Sequence, residues 1–334
     1  GPDGGLYVLD WHDADICGKE VLNKETGRVF RLSPKQSAAT SFPHRYDDLS
    51  TLSDSDLAQL QQVPSVWHAT HARTILQYRA QVRSIDDEAL AELRQQLHTA
   101  ESVGLRLRAL WTLHVTPALG DSELLPLLDD EQPYMRGWAI QLLCEDLQVS
   151  DSAAEKLVTM AESDPSPIVR LYLAAASQRV PNETRWQLLE RLAEHPEDNP
   201  DHNIPKMLWF ACEPLVVSDE NRALALAKRS RINLLTRFIA RRLGDAERFD
   251  SVLRIAVTAD PRQQLDILLG LRDATEGRFD MKPPPAWSGI YPQLKAVGGQ
   301  TCVDTITHFA VFSAAIRGAD RAKFRDVEVG IAAE

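Results

Sequence analysis

The sequence predicts an all-α protein, an α-solenoid of stacked helix pairs that follows a short N-terminal β segment. Three observations predict it. From about residue 53 onward apolar residues recur with the helical period of about 3.6, related segments recur every 30–35 residues, and strand-like patterns are confined to the first 40 residues. A repeat of this length with two helices per unit is typical of an α-solenoid. We therefore expect residues 1–40 to form a β remnant and residues 41–334 to form the solenoid.

Composition and charge narrow the class of protein. The chain has 334 residues, 44% of them hydrophobic, with 37 Lys and Arg against 48 Asp and Glu, for a net charge of −11. These fractions are typical of a folded domain. An acidic balance disfavours non-specific binding to nucleic acid, which depends on clustered cations. No apolar run approaches the eighteen or so residues that a membrane-spanning helix needs, so we expect no membrane insertion.

Two short segments near the N-terminus predict strands. Residues 6–9 and 28–32 are rich in β-branched and aromatic side chains, and turn residues such as Gly27 and Pro34 bound them. Two strands cannot bury a core alone. They are therefore expected either to pair with each other against the helices or to belong to a larger sheet.

The clearest internal repeat relates residues 127–138 to residues 161–172 by a shift of 34. The shift aligns Asp130 with Asp164, Pro133 with Pro167 and Arg136 with Arg170. Residues 105–110 and 237–240 repeat part of the same pattern. We expect the recurring arginine to reach the acidic turn of its own or the adjacent unit, with Asp130 and Asp164 as candidates, and to play a structural role.

The second helix of one repeat is predicted to lie between Ser166 and Pro181. Ser166 is a suitable N-cap and Pro167 fits the first helical position, where a missing N–H costs nothing. Pro181 prevents the helix from continuing. The predicted apolar face consists of Ile168, Val169, Tyr172, Ala175 and Ala176. A single helix pair leaves this face in water, so stacking must bury it.

Two levels of resemblance follow from these patterns. The arginine-bearing second helices and the Asp-x-x-Pro turns resemble HEAT repeats, which stack into an armadillo-like superhelix. Residues 1–18 and 24–32 resemble the end of the propeller domain in the large exported haem-binding CxxCH proteins of planctomycete-type bacteria, which are often labelled membrane-bound dehydrogenases. Residues 201–215 and 237–243 resemble the helical region of that family. The similarity covers nearly the whole chain.

The resemblance implies a larger parent protein with a sugar-dehydrogenase-like β-propeller, HEAT-like helices and a C-terminal cytochrome c-type domain. It implies export to the periplasm or cell envelope, and residues 1–40 would be the end of the propeller-like domain. Because the chain starts at Gly1 without Met and contains no signal peptide, we expect it to be a fragment. No Cys-x-x-Cys-His occurs, so we expect no cofactor in this chain. Haem c is implied only for a C-terminal domain outside these residues.

The first candidate site follows the first predicted strand. Asp10, His12, Asp13, Asp15 and Cys17 supply five possible metal ligands within eight residues. The resemblance favours His12, Asp15 and Cys17 because these match the family's pattern. The alternative is a polar loop leaving a propeller strand, with the aspartates as turn formers.

The second candidate site precedes a predicted helix that Pro205 opens. Asp201 or Asn203 is expected to cap this helix, and Trp209, Phe210 and Leu215 are then expected to face the core. Alternatively, the exposed His202 and Asn203, together with Glu213, present hydrogen-bonding groups to a partner.

The third candidate site is a basic segment. Residues 221–243 contain no Asp or Glu but seven cations: Arg222, Lys228, Arg229, Arg231, Arg237, Arg241 and Arg242. A local reversal of charge suggests docking of an anionic surface or a carboxylate ligand, with Arg229, Arg231, Arg237 and Arg241 as interaction residues. The alternative is pairing with acids of neighbouring repeats, for example Asp219, Glu220, Asp245 and Glu247.

The expected function is non-catalytic. The sequence lacks G-x-S-x-G, G-x-x-x-x-G-K, G-x-G-x-x-G and H-E-x-x-H. Its four cysteines form no C-x-x-C, which favours buried free thiols. We expect a scaffold or protein-interaction module that links the propeller to the cytochrome domain, with those domains or another protein as partner. The alternatives are part of a metal-dependent dehydrogenase active site formed with the propeller, which would make only the full-length parent an enzyme, and a peptide-binding solenoid unrelated to redox chemistry.

Overall fold

The computed structural model describes residues 1–10, 27–33, 42–276 and 284–297. Contacts within the chain define two compact units, Gly1–Glu123 and Leu124–Glu334. The predicted boundary near residue 40 falls on residues 34–41, outside the described part. In the described ranges no helix combines the length and the apolar character needed to cross a membrane. The all-α fold with a short N-terminal β segment is confirmed.

The first unit contains two strands and the first helices. They are β1 (Leu6–Asp10), β2 (Arg28–Leu32), α1 (Asp54–Gln59), α2 (Val66–Ala80), α3 (Asp87–Thr99), α4 (Val103–Val115) and, where the unit ends, α5 (Asp121–Leu124). Strands β1 and β2 pair antiparallel, with Val8 opposite Phe30. The strands therefore pair with each other, the first of the two predicted alternatives. Their side chains are mostly exposed on both faces.

Helices α1 to α4 surround the core of the first unit. Helix α1 packs on α2 and α3, and α4 packs on the same two helices. Leu57, Leu76, Leu93 and Leu110 are fully buried between them. A capping box starts α1, because the side chains of Ser53 and Asp56 each accept a hydrogen bond from the other residue's N–H.

The second unit is entirely helical in its described part. Its helices are α6 (Pro133–Leu143), α7 (Asp151–Ser163), α8 (Pro167–Ala176), α9 (Asn182–Leu192), α10 (Ile204–Val216), α11 (Glu220–Arg229), α12 (Asn233–Asp245), α13 (Phe249–Thr258), α14 (Pro261–Thr275) and α15 (Trp287–Val297).

These helices form two rows. The even-numbered helices α6 to α14 each contact the next even-numbered helix, and the odd-numbered helices α7 to α15 do the same. Helices that follow each other along the chain also contact, from α7 and α8 to α13 and α14. Each row thus buries its apolar faces against the other, which is the helical-repeat order that the sequence period predicts.

Helix α8 has the predicted ends, but its N-cap and its buried face differ from the prediction. It begins at Pro167 and ends at Ala176, before Pro181, as predicted. The side chain of Ser166 makes no capping bond; instead the Asp164 carboxylate accepts from the backbone N–H of Ser166. The buried residues are Val169, Arg170, Leu173, Ala174 and Ala176. Ile168, Tyr172 and Ala175 are only partly buried, so the buried face is rotated from the predicted one and includes the charged side chain of Arg170.

Helices α12 and α14 approach unusually closely. A Cβ atom added to Gly270 would lie 2.2 Å from the carbonyl oxygen of Arg237 and 2.8 Å from the Cβ of Ala240. Only glycine leaves room for this backbone-to-backbone contact.

Candidate functional site

Arg136 connects two successive repeats of the second unit. Its Nε and Nη2 donate to the two carboxylate oxygens of Asp164, at 2.7 and 2.9 Å. Its Nη1 donates to the backbone carbonyl of Asp130, at 2.8 Å. The arginine therefore binds its own turn through a carbonyl group and the next repeat through a bidentate ion pair.

Arg170 repeats the same geometry one unit later. It donates to both carboxylate oxygens of Asp198, at 2.5 and 2.7 Å, and to the carbonyl of Asp164, at 3.0 Å. Arg170 and Asp198 are each only 2% exposed. The prediction that the recurring arginine reaches the acidic turn of its own or the adjacent unit is confirmed, and both arginines contact the two turns at once. We call these bonds the arginine ladder of Arg136 and Arg170.

Asp54 is the corresponding buried carboxylate of the first unit. Its oxygens accept from Arg79 at 2.6 Å, from Arg83 at 2.7 Å and from the backbone N–H of Asp86 at 3.1 Å. Burial alone would raise the pKa of Asp54, but the hydrogen bonds from Arg83, Arg79 and Asp86 outweigh it and lower the pKa to about 2. This carboxylate ties α1 to the ends of α2 and α3.

The segment before α10 is held by Asp201. Its Oδ1 accepts from the backbone N–H groups of Asn203 and Ile204, both at 2.8 Å. Asn203 occupies the N-cap position of α10 but its side chain makes no capping bond, so of the two predicted capping residues it is Asp201 whose side chain bonds the start of the helix. His202 and Asn203 are exposed. Leu215 is buried as predicted, but the expectation for Phe210 is wrong, since it is 51% exposed.

The error at Phe210 has a geometric reason. Leu208, Ala211, Cys212 and Leu215 occupy the buried face of α10, and Phe210 lies two residues, or about 200°, from Leu208 around the helix. Trp209 at the edge of this face is partly buried and meets Phe238 edge-on, with ring centroids 5.3 Å apart.

Most cations of the basic segment form ion pairs within the second unit. Arg222 binds Glu183 and Glu190, both at 2.7 Å. The other pairs are Arg229 with Glu194, Arg237 with Asp273, Arg241 with Asp245 and Arg242 with Glu213. Of the four acids named as possible partners, Asp245 pairs with Arg241 of the segment, and Glu220 lies 3.5 Å from Arg248 outside it. The partners of the remaining four arginines are acids that lie 29–39 residues away along the chain.

Two cations of the basic segment differ from the rest in having no ionic partner among the described residues. Among the described residues, the side chains of Lys228 and Arg231 form no ion pair or hydrogen bond, and both are exposed. They line a polar cavity of about 560 Å³ between the α11–α12 connection and the start of α14, which we call the basic cleft. The basic cleft is lined by Glu194, Pro196, Lys228, Arg229, Ser230, Arg231, Asn233, Asp260, Arg262 and Gln263.

In the connection between α11 and α12, which lines the basic cleft, the backbone N–H groups of residues 230–233 are all hydrogen-bonded. The N–H of Ser230 donates to Leu226, that of Arg231 to the carbonyl of Ala193 and that of Ile232 to the hydroxyl of Ser230. The N–H of Asn233 donates to the side chain of Asn199 at 2.9 Å, and Gln263 Nε2 donates to the carbonyl of Ser230 at 3.1 Å. These bonds fix the connection between α11 and α12 from three sides.

The fourth cation of the basic cleft, Arg262, belongs to the first turn of α14. Asp260 caps this helix by accepting from the N–H groups of Arg262 and Gln263, both at 3.0 Å. Burial raises the pKa of nearby Asp266 to about 6, although the charges of Arg262 and Arg237 act in the opposite direction. Within the described part of the chain, Arg262 makes no ion pair within 4 Å.

The remaining candidate residues are of two kinds. His12, Asp15 and Cys17 lie outside the described residues. In the ranges that are described, no group of three or more His, Cys, Asp or Glu side chains is placed to hold a metal ion. Cys144 and Cys212 are free and buried, as predicted, and burial raises their pKa values to about 11 and about 12.

No family model, no curated protein and no solved structure matches this chain. The function is therefore argued from the geometry of the chain itself. Sequence reasoning found Arg229 and Arg231 but missed Arg262 and the basic cleft. The available signal was positional, because residues 228–233 and 260–263 each lie at the start of an even-numbered helix, one repeat apart.

Proposed function

We propose that this chain is a non-catalytic, HEAT-like scaffold or protein-interaction module. In the larger exported protein that the resemblance implies, it would hold a sugar-dehydrogenase-like propeller against a cytochrome c-type domain. The observation that carries the proposal is the arginine ladder, in which Arg136 and Arg170 bind a carbonyl in their own turn and a carboxylate in the next repeat.

The ladder supports a scaffold because it uses charged groups for internal connections. Arg170 and Asp198 satisfy each other away from water, and a paired, buried guanidinium is poorly placed to contact a substrate. Breaking such a pair is costly, so the spacing between successive repeats is strongly held. A surface that keeps its shape loses little entropy when a partner docks on it.

The surface of the second unit supports the interaction role. His202 and Asn203 are exposed before α10, and the basic cleft carries cations on a chain whose net charge is −11. A local basic patch attracts an acidic surface, and the net charge of −11 disfavours nucleic acid as the source of that surface. The partner is then another domain of the parent or a separate protein of the cell envelope.

The proposal is tested by binding in trans. The chain would be titrated calorimetrically with a propeller domain and with a cytochrome c-type domain of the parent, each produced separately. We expect saturable one-to-one binding to at least one of them. A chain unfolded in urea and then diluted serves as the control for adhesion of unfolded material. Absence of heat with both domains, at concentrations up to about 100 μM, would contradict the proposal, since docking this weak is not a stable interface.

A further inference from the structure

We propose that the basic cleft binds a short acidic peptide segment of a partner protein, with Lys228, Arg231 and Arg262 contacting its Asp or Glu carboxylates. The inference rests on the proposed function, because it names the partner chemistry of an interaction module. The basic cleft is then the docking site of the module, and an acidic peptide is its ligand.

Some cations of the basic cleft are not paired with acids within the described ranges of the chain. Four cations and two acids line it. Glu194 pairs with Arg229, and Asp260 caps α14 but keeps its negative charge, so the described lining residues carry a net positive charge. Lys228, Arg231 and Arg262 remain without a direct ionic partner in the described part of the chain. Exposed cations that converge on one cavity attract an anionic ligand and orient it.

The backbone of the basic cleft is preorganised for binding. The backbone N–H groups of Ser230, Arg231 and Asn233 are bonded to Leu226, Ala193 and Asn199, that of Ile232 is bonded within the connection to the Ser230 hydroxyl, and Gln263 bonds the same connection to α14. The Cα positions of Lys228 and Arg231 are therefore fixed relative to Arg262. Only side-chain rotations have to be restricted on binding, which reduces the entropic cost.

The start of α14 favours an acidic peptide over phosphate as the ligand. Phosphate sites typically use free backbone N–H groups at a helix N-terminus. At the start of α14 these groups already bind the carboxylate of Asp260, which would repel a dense dianion. Carboxylates spaced along a peptide can meet the three cations while avoiding Asp260 and Glu194.

The lining also excludes other ligand classes. Among the described residues that line the basic cleft, Pro196 alone is apolar and none is aromatic. A nucleobase or an apolar peptide would find no ring to stack on and little apolar surface to bury. The volume of about 560 Å³ lies within the usual range for small-ligand sites and suits a few extended residues.

The test uses fluorescence anisotropy of a fluorescein-labelled hexaglutamate peptide titrated with the full chain at low salt. Arg231→Glu is expected to weaken binding by at least about tenfold, since it replaces an attraction by a repulsion. The matched control is Arg254→Glu on α13, an exposed arginine outside the basic cleft that forms no side-chain ion pair in the described residues. It is expected to change binding by less than about twofold.

Equal losses in both variants, or no binding by the unmodified chain, would overturn the inference. Stronger competition by inorganic pyrophosphate than by unlabelled hexaglutamate would also overturn it, in favour of a phosphate site. If Arg231→Glu does not fold, as judged by circular dichroism, Arg262→Glu carries the same test.

The two proposals can fail separately. If the calorimetric titration shows docking of a parent domain and Arg231→Glu leaves that docking unchanged, the interaction module stands and the basic cleft is not its site. If neither domain binds but hexaglutamate does, the proposed link between propeller and cytochrome domain fails and the peptide site stands.

Discussion

The Arg170–Asp198 pair lies inside the second unit, where both side chains are almost fully shielded from water. Two parallel hydrogen bonds and the additional bond to the carbonyl of Asp164 satisfy the guanidinium. Removing one member of such a pair leaves the other charge buried and uncompensated, which usually costs more than the pair contributes.

We therefore expect Arg170→Ala to lower the free energy of unfolding by about 3–5 kcal/mol. Urea denaturation followed by circular dichroism measures it. Arg254→Ala is the matched control and should change stability by less than about 0.5 kcal/mol. The double variant Arg170→Met with Asp198→Leu should be more stable than Arg170→Ala, because no charge remains buried. A loss below about 1 kcal/mol for Arg170→Ala would contradict a structural role for the ladder.

Asp54 makes the first unit sensitive to acid. Its folded-state pKa of about 2 lies below the ordinary value of 3.8, so its contribution to stability is present above pH 3.8 and is lost as the pH falls through about 2. The shift corresponds to about 2 kcal/mol. The stability difference between the unmodified chain and Asp54→Asn should be constant from pH 7 to 5 and shrink between about pH 4 and 2. A difference independent of pH over that interval would show that Asp54 does not carry this linkage.

At the scale of single elements, the close contact of α12 with α14 depends on Gly270. Gly270→Ala would place a Cβ atom against the backbone of Arg237 and Arg241. We expect a loss of about 1–3 kcal/mol from overpacking. Gly104→Ala in α4 is the control, because its nearest neighbour would be 4.0 Å away, and it should stabilise the helix by about 0.5–1 kcal/mol. Thermal unfolding distinguishes them, and equal effects of the two substitutions would argue against the close contact.

Local sequence rules predicted the ends of elements better than their buried faces. Pro167 and Pro181 bracket α8 because proline acts through the backbone, whose constraints are local. The buried face of α8 depends on what lies on both sides of it, and a residue such as Arg170 can be buried only because Asp198 arrives from the next repeat. Phe210 is exposed for the same reason, since the neighbours of α10 contact a different face.

At the scale of the whole molecule, the repeat period was predictable because it appears directly in the sequence. The spacing that places Arg136 next to Asp164 recurs between Arg170 and Asp198, so the ladder could be predicted in outline. The sequence shows that Arg231 and Arg262 lie near the starts of helices one repeat apart, but not that they line one cavity, which depends on how the α11–α12 connection packs against α14. Contacts of this kind depend on tertiary packing.

The chain as a whole should carry no covalently attached haem. Attachment of haem c uses a Cys-x-x-Cys-His motif, and the 334 residues contain none. Chain produced in cells that mature c-type cytochromes should show no Soret absorption, whereas a cytochrome c made in the same cells provides the positive control. A covalent haem signal that survives denaturing electrophoresis would contradict the architecture that the resemblance implies.

The two buried thiols of the second unit can report on its motions. The thiolate is the form of cysteine that attacks thiol reagents, and Cys144 and Cys212 are both inaccessible and hard to deprotonate. Each can be labelled only after the helices around it separate, so the rate of labelling measures how often that part of the chain opens. Cys144 follows the end of α6 and Cys212 lies within α10. Mass spectrometry of the labelled peptides would thus compare the opening of two repeats without any engineered probe.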